Sequence, residues 1–95
     1  MEIRPELDPP VSQEPPEEER ITDYDRRHMV TYLRLMDAES AGADWREVAR
    51  IVLHLDPDAD ELRARRLFDA HMRRVRWLSE SGYRHLLAGG QVRHA

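Results

Sequence analysis

Five of the six prolines (Pro5, Pro9, Pro10, Pro15 and Pro16) fall within the first 20 residues, and the sixth is Pro57. Proline lacks the amide that a helix interior needs and clashes with the preceding turn. This map divides the 95 residues into an opening stretch that admits no long helix and a remainder that admits several, with one break. Beyond residue 20 apolar residues recur at helical spacing, and no period-two run of β-branched residues occurs. The expected fold is all-α: a small four-helix domain over residues 22–90.

Charge follows the same division. Residues 1–20 hold seven acids (Glu2, Glu6, Asp8, Glu14, Glu17, Glu18, Glu19) against Arg4 and Arg20, whereas the rest carries twelve acids and thirteen arginines. Few apolar residues interrupt the acidic stretch, so composition predicts a disordered Pro/Glu-rich tail over residues 1–21. Residues 91–95 are expected to fray.

The helices have readable ends. Thr22 and Asp25 form a capping box for a first helix that reaches Ala41 and stops at Gly42. Met29, Val30, Leu33 and Met36 are its expected core stripe. A second stripe of Tyr24, His28, Tyr32 and Leu35 is left for a partner or for a covering C-terminal helix. Asp44 and Glu47 box the second helix, whose buried face is Trp45, Val48, Ala49 and Val52. Pro57 enforces a break at Asp56. Asp58 or Asp60 then caps a third helix from about Glu61 to Ser79, with Ala64, Leu67, Phe68, His71, Val75 and Leu78 inward. Tyr83, Leu86 and Leu87 mark a short last helix.

Several functions are excluded on chemistry. There is no cysteine, so neither a disulfide nor a thiolate metal site is available. The five histidines never form a His-x-x-x-His pair, and His71 falls on an apolar face, where it reads as a core residue. The aspartates of the turn lack the glycine and terminal glutamate of a calcium loop. No serine sits in a Gly-rich elbow and no phosphate loop occurs. The expectation is a cytoplasmic non-enzyme with no cofactor, no metal and no membrane span.

Nucleic-acid binding fits in part. Two helices joined by a turn, the second bearing Arg63, Arg65, Arg66, Arg73, Arg74 and Arg76, are the parts of a helix-turn-helix. The turn from Leu55 to Asp60 is longer than usual. Asp69 lies four residues after Arg65 and four before Arg73, the spacing of helical ion pairs, and its carboxylate repels phosphate.

Three stretches together carry a resemblance: Thr22–Met36 with Asp37, Ala38 and Glu39; Gly42–Leu53; and Arg63–Phe68 with Arg76–Leu87. They resemble the family of QseM-type antiactivators and the FseA C-terminal domain, found on integrative and conjugative elements. The resemblance covers roughly residues 22–90 and implies an extended-turn variant of the helix-turn-helix. In that family activators add an N-terminal partner domain and bind DNA; antiactivators consist of this domain alone and bind the activator's N-terminal domain.

With only the tail preceding it, a net charge of −4 and Asp69 among its arginines, the chain looks like an antiactivator that blocks transcription of transfer genes. Its expected partner is a transcriptional activator, docked on Tyr24, His28, Tyr32, Leu35 and Trp77, with little or no specific DNA binding. The alternative is a stand-alone DNA-binding regulator that uses Arg63, Arg65, Arg66, Arg73 and Arg76.

Overall fold

Thr22 closes the capping box that begins the helical part. Its hydroxyl accepts from the Asp25 amide at 3.3 Å, and the Asp25 carboxylate accepts from the Thr22 amide at 2.8 Å. The computed structural model describes residues 4–82. Four α-helices follow in order: α1 (Asp23–Arg27), α2 (Met29–Ser40), α3 (Trp45–Ile51) and α4 (Glu61–Trp77). α4 continues into a π-helical turn, Leu78–Gly82. No strand occurs among the described residues, and no helix there is long and apolar enough to cross a membrane. The expected last helix at Tyr83, Leu86 and Leu87 lies outside the described residues.

The helix ends behave as side-chain chemistry dictates. Asp44 accepts from the amides of Arg46 and Glu47, and Asp60 accepts from the Arg63 amide at 3.0 Å. Each cap satisfies donors that the first turn leaves unpaired. Gly42 takes a positive φ of 69° just beyond α2, a conformation that glycine adopts without steric cost. In the long turn the Asp56 carboxylate accepts from the amides of Asp58 and Ala59, and Pro57 is fully buried. The carboxylates of Asp56 and Asp60 are thus occupied by backbone.

The core gathers Val48 and Ala49 from α3, Val52 from its C-cap, Leu53 and Leu55 from the turn, and Ala64, Leu67, Met72 and Val75 from α4. α2 departs from expectation. It contributes Thr31, Tyr32 and Leu35 to the interior, whereas Leu33 is 56% exposed and Met36 40%. The expected stripe keeps only Met29 against the core, with Val30 half-buried, and the second stripe takes the interior positions. Hydrophobicity favours Met and Leu, but Tyr24 finds a polar partner in His71 of α4 and Tyr32 one in Asp25 of α1, which makes their burial favourable. The expected continuous first helix is also interrupted at His28, where φ and ψ are −99° and 19°. At that break the Arg27 carbonyl accepts from the Glu6 amide at 3.0 Å.

Glu6 belongs to the opening stretch, which packs as a strap where composition predicts a free tail. Pro9, Val11 and Pro15 are buried, and the Val11 amide donates to the Leu53 carbonyl at 3.3 Å. Its acids meet basic side chains of the helical part: Asp8 meets Arg34 of α2 and His54 of the turn, and Glu14 meets Arg66 of α4. The composition rule treats proline as a bar to structure. Proline also supplies apolar surface and loses little entropy when fixed, so an extended segment can be held without an element of its own.

Candidate nucleic-acid interface

α4 is the long helix that follows the turn, and its arginines divide by angle. At 3.6 residues per turn, Leu62, Arg65, Arg66, Asp69, Arg73 and Arg76 share the outward side. Arg63 is turned about 160° from Arg65, where its guanidinium donates to the Ser12 carbonyl at 3.1 Å. Of the five arginines expected to face DNA, the structure therefore brings together Arg65, Arg66, Arg73 and Arg76.

Three of these four have a carboxylate near. Arg65 donates to Asp69 at 3.2 Å, Arg66 lies 3.3 Å from Glu14 of the strap, and Arg76 lies 2.5 Å from Glu39 of α2. All are exposed pairs, and those to Glu14 and Glu39, which join separate segments, hold weakly and exchange readily for other anions. Arg73 makes no ion pair among the described residues. It stands between a cleft against the strap and a second of about 350 Å³ between α2 and α4, the latter also lined by Arg65 and Arg76. The acids at the start of α4 are already matched: Arg46 reaches Asp58 and Glu61, and Arg50 reaches Asp58.

Arg74 does something else, and the sequence reading missed it. Its Nε and Nη2 donate to the Asp25 carboxylate at 3.0 and 2.7 Å, and its Nη groups also donate to the carbonyls of Glu18 and Arg20. Both side chains are inside, 4% and 0% exposed. Tyr32 donates its hydroxyl to Asp25 at 2.8 Å, and the Thr22 hydroxyl donates to the same carboxylate. The guanidinium lies 4.3 Å over the Trp77 ring. Burial alone would push the Asp25 carboxyl up, but the hydrogen bonds from Arg74, Thr22 and Tyr32 leave it below the ordinary carboxylate value. Burial likewise opposes the Arg74 charge, and Asp25 more than restores it.

The residues expected to dock a protein partner are mostly interior. Tyr32, Leu35 and His28 are buried. Tyr24 is half-buried, and Trp77 is half-buried at the end of α4 under Arg74. His71 explains Tyr24. Its Nδ1–H donates to the Leu67 carbonyl at 2.7 Å, which leaves Nε2 to accept from the Tyr24 hydroxyl at 2.6 Å. Burial holds His71 below its ordinary pKa, against the opposing pull of the Leu67 carbonyl, and burial with the Asp25 charge pushes Tyr24 up to about 12. His28 stacks on Tyr24 with ring centres 4.0 Å apart and donates to the Tyr24 carbonyl. As folded, this stripe offers no docking surface. A signal for the Arg74 arrangement did exist: Leu67, His71 and Arg74 recur at four and three residues, so Arg74 lies on the inward stripe.

A family model, RovC_DNA-bd, described as "T6SS, Transcription factor, DNA binding domain", matches residues 5–88 and so takes in most of the strap as well as the helices. No curated protein and no solved structure matches the chain. The family match corrects two expectations. The resemblance to an antiactivator family gives way to a family defined by a transcription factor's DNA-binding domain. The expected partner, an activator's N-terminal domain with little or no specific DNA binding, gives way with it, because a DNA-binding domain points to DNA. A regulator of transcription with no enzymatic role is the class to which the match points, and the chain belongs to this family of transcription-factor DNA-binding domains.

Proposed function

We propose that this domain regulates transcription by binding duplex DNA with the outward face of α4, presented to the major groove as the second helix of an extended-turn helix-turn-helix. The observation that carries the reading is the sorting of the α4 arginines. Arg65, Arg66, Arg73 and Arg76 stay outward on one side of a 17-residue helix, while Arg74 is withdrawn into the core. α3 and the turn support that helix from behind through Val48, Leu53 and Leu67. Phosphates replace Glu14 and Glu39 at Arg66 and Arg76, and Arg73 meets a phosphate without displacing any partner.

The family's description makes promoters of a T6SS the first duplexes to try. A mobility shift with such promoters and with random-sequence duplex tests the reading. Retardation is expected at low salt, with affinity falling linearly on a logarithmic salt scale as counterions are released. Arg73→Ala should weaken binding to all sequences alike and make the salt slope shallower by about 1, with the melting temperature unchanged. No binding to any duplex at about 50 mM salt, where phosphate contacts are strong, overturns the reading.

A further inference from the structure

Asp69 is the one acid on the outward face of α4, and by charge alone it opposes DNA. Its geometry suggests a different role. The Asp69 carboxylate accepts from Nε of Arg65 at 3.2 Å. The same guanidinium lies 4.9 Å over the Trp45 ring and 5.7 Å over the Phe68 ring, and these rings pack 5.9 Å apart. Arg65 is therefore fixed from one edge and beneath, with both Nη groups making no hydrogen bond among the described residues. Among the described residues, no aromatic ring is paired in this way with Arg66, Arg73 or Arg76.

A guanidinium held in this way is poorly used on a phosphate, which any mobile cation can meet. It suits a planar acceptor pair, because the entropy of fixing its long side chain is spent before the ligand arrives. Arg65 also stands in the second turn of α4, and the N-terminal part of a recognition helix is the part that meets base edges. The planar acceptor pair that duplex DNA presents in the major groove is O6 and N7 of guanine.

We infer that Arg65 reads a guanine through its two Nη groups, and that Asp69 is a positioning residue that holds Arg65 for that contact while lowering affinity for DNA in general. This rests on the reading of α4 as the DNA-binding face. Both side chains are half exposed, so their replacement leaves the core intact.

The test uses the full chain and duplexes that it selects from a randomised pool. One guanine position should stand out, and replacing that guanine with 7-deazaguanine, which lacks N7, should weaken binding by the parent about tenfold. Arg65→Ala should be indifferent to the replacement. Asp69→Asn should bind random duplex at least as tightly as the parent, since a negative charge is gone, yet lose much of its preference for guanine. Those opposite signs cannot come from a damaged fold. A parent that binds duplex but is insensitive to 7-deazaguanine at every guanine overturns the inference and leaves the DNA-binding reading standing. An Asp69→Asn variant with undiminished guanine preference overturns the role of Asp69. Failure to bind any duplex overturns both readings.

Discussion

The two sides of α4 carry the same residue type to opposite ends. Outward, Arg65, Arg66, Arg73 and Arg76 lie exposed, with Arg66 and Arg76 beside carboxylates they can release. Inward, Arg74 is sealed with Asp25 of α1 and also donates to the carbonyls of Glu18 and Arg20 in the segment before it. An arginine's surroundings, and not its presence, decide whether its charge is spent on stability or kept for a ligand. Counting six arginines in the helix treats Arg74 as part of a basic face, where it is in fact a support beneath one.

The largest effect should come from breaking the inward side. Arg74→Ala leaves Asp25 buried without its counter-charge and should cost about 3–5 kcal/mol in urea unfolding. In a domain this small that is much of the stability available. A loss within the range of an ordinary surface substitution would show that the pair is not sealed.

Next comes α2, where the choice of buried stripe can be tested directly. Leu35→Ala should cost about 2–5 kcal/mol and Leu33→Ala less than about 0.5 kcal/mol. The reverse order would restore the stripe read from hydrophobicity.

Stability against pH sharpens the contrast, since the groups concerned are all inward. Burial depresses the pKa of His71, so as pH falls below about 6.5 the unfolded chain takes up a proton that the fold refuses, and stability declines. The depressed Asp25 carboxyl adds a second loss below about pH 4, complete once pH has passed its folded value. At the alkaline end the order reverses. The Tyr24 phenol ionises near 10 when unfolded and at about 12 in the fold, so stability falls as pH rises between them. Urea midpoints across this range should trace these limbs, and Asp25→Asn should flatten the acid one.

The smallest effect concerns Thr31, whose hydroxyl is buried without a hydrogen-bond partner among the described residues. Thr31→Val keeps the shape and removes the stranded group, and should raise stability by about 1 kcal/mol. A loss would mean that the hydroxyl is satisfied in solution.

Local chemistry was legible in the sequence and long-range pairing was not. The caps at Thr22, Asp44 and Asp60, the stop at Gly42, the break before Pro57, and His71 as a satisfied core residue follow from neighbours within a turn or two. The choice of buried stripe on α2 depends on His71 and Arg74, 47 and 49 residues away from Tyr24 and Asp25, which no local pattern contains. The strap is illegible for a related reason: its acids and prolines look solvated until the arginines and the Leu53 carbonyl they meet are in place. On the candidate interface, spacing anticipated the Arg65–Asp69 pair. The Trp45 platform beneath Arg65 comes from another helix and could not be foreseen.

The Asp25–Arg74 pair also bears on wrong structures. Apolar contacts tolerate a helix that slides, because one leucine replaces another at little cost. If α4 slipped by one turn, Ala70 or Leu78 would arrive where Arg74 now sits. Asp25 would then face a methyl group, the guanidinium would be stranded, and the carbonyls of Glu18 and Arg20 would lose their donors. Each misplaced register thus carries the penalty of unpaired buried charge, several kcal/mol and comparable with the stability of a whole domain. The outward arginines consequently have a single rotational setting and a single height relative to the rest of the domain.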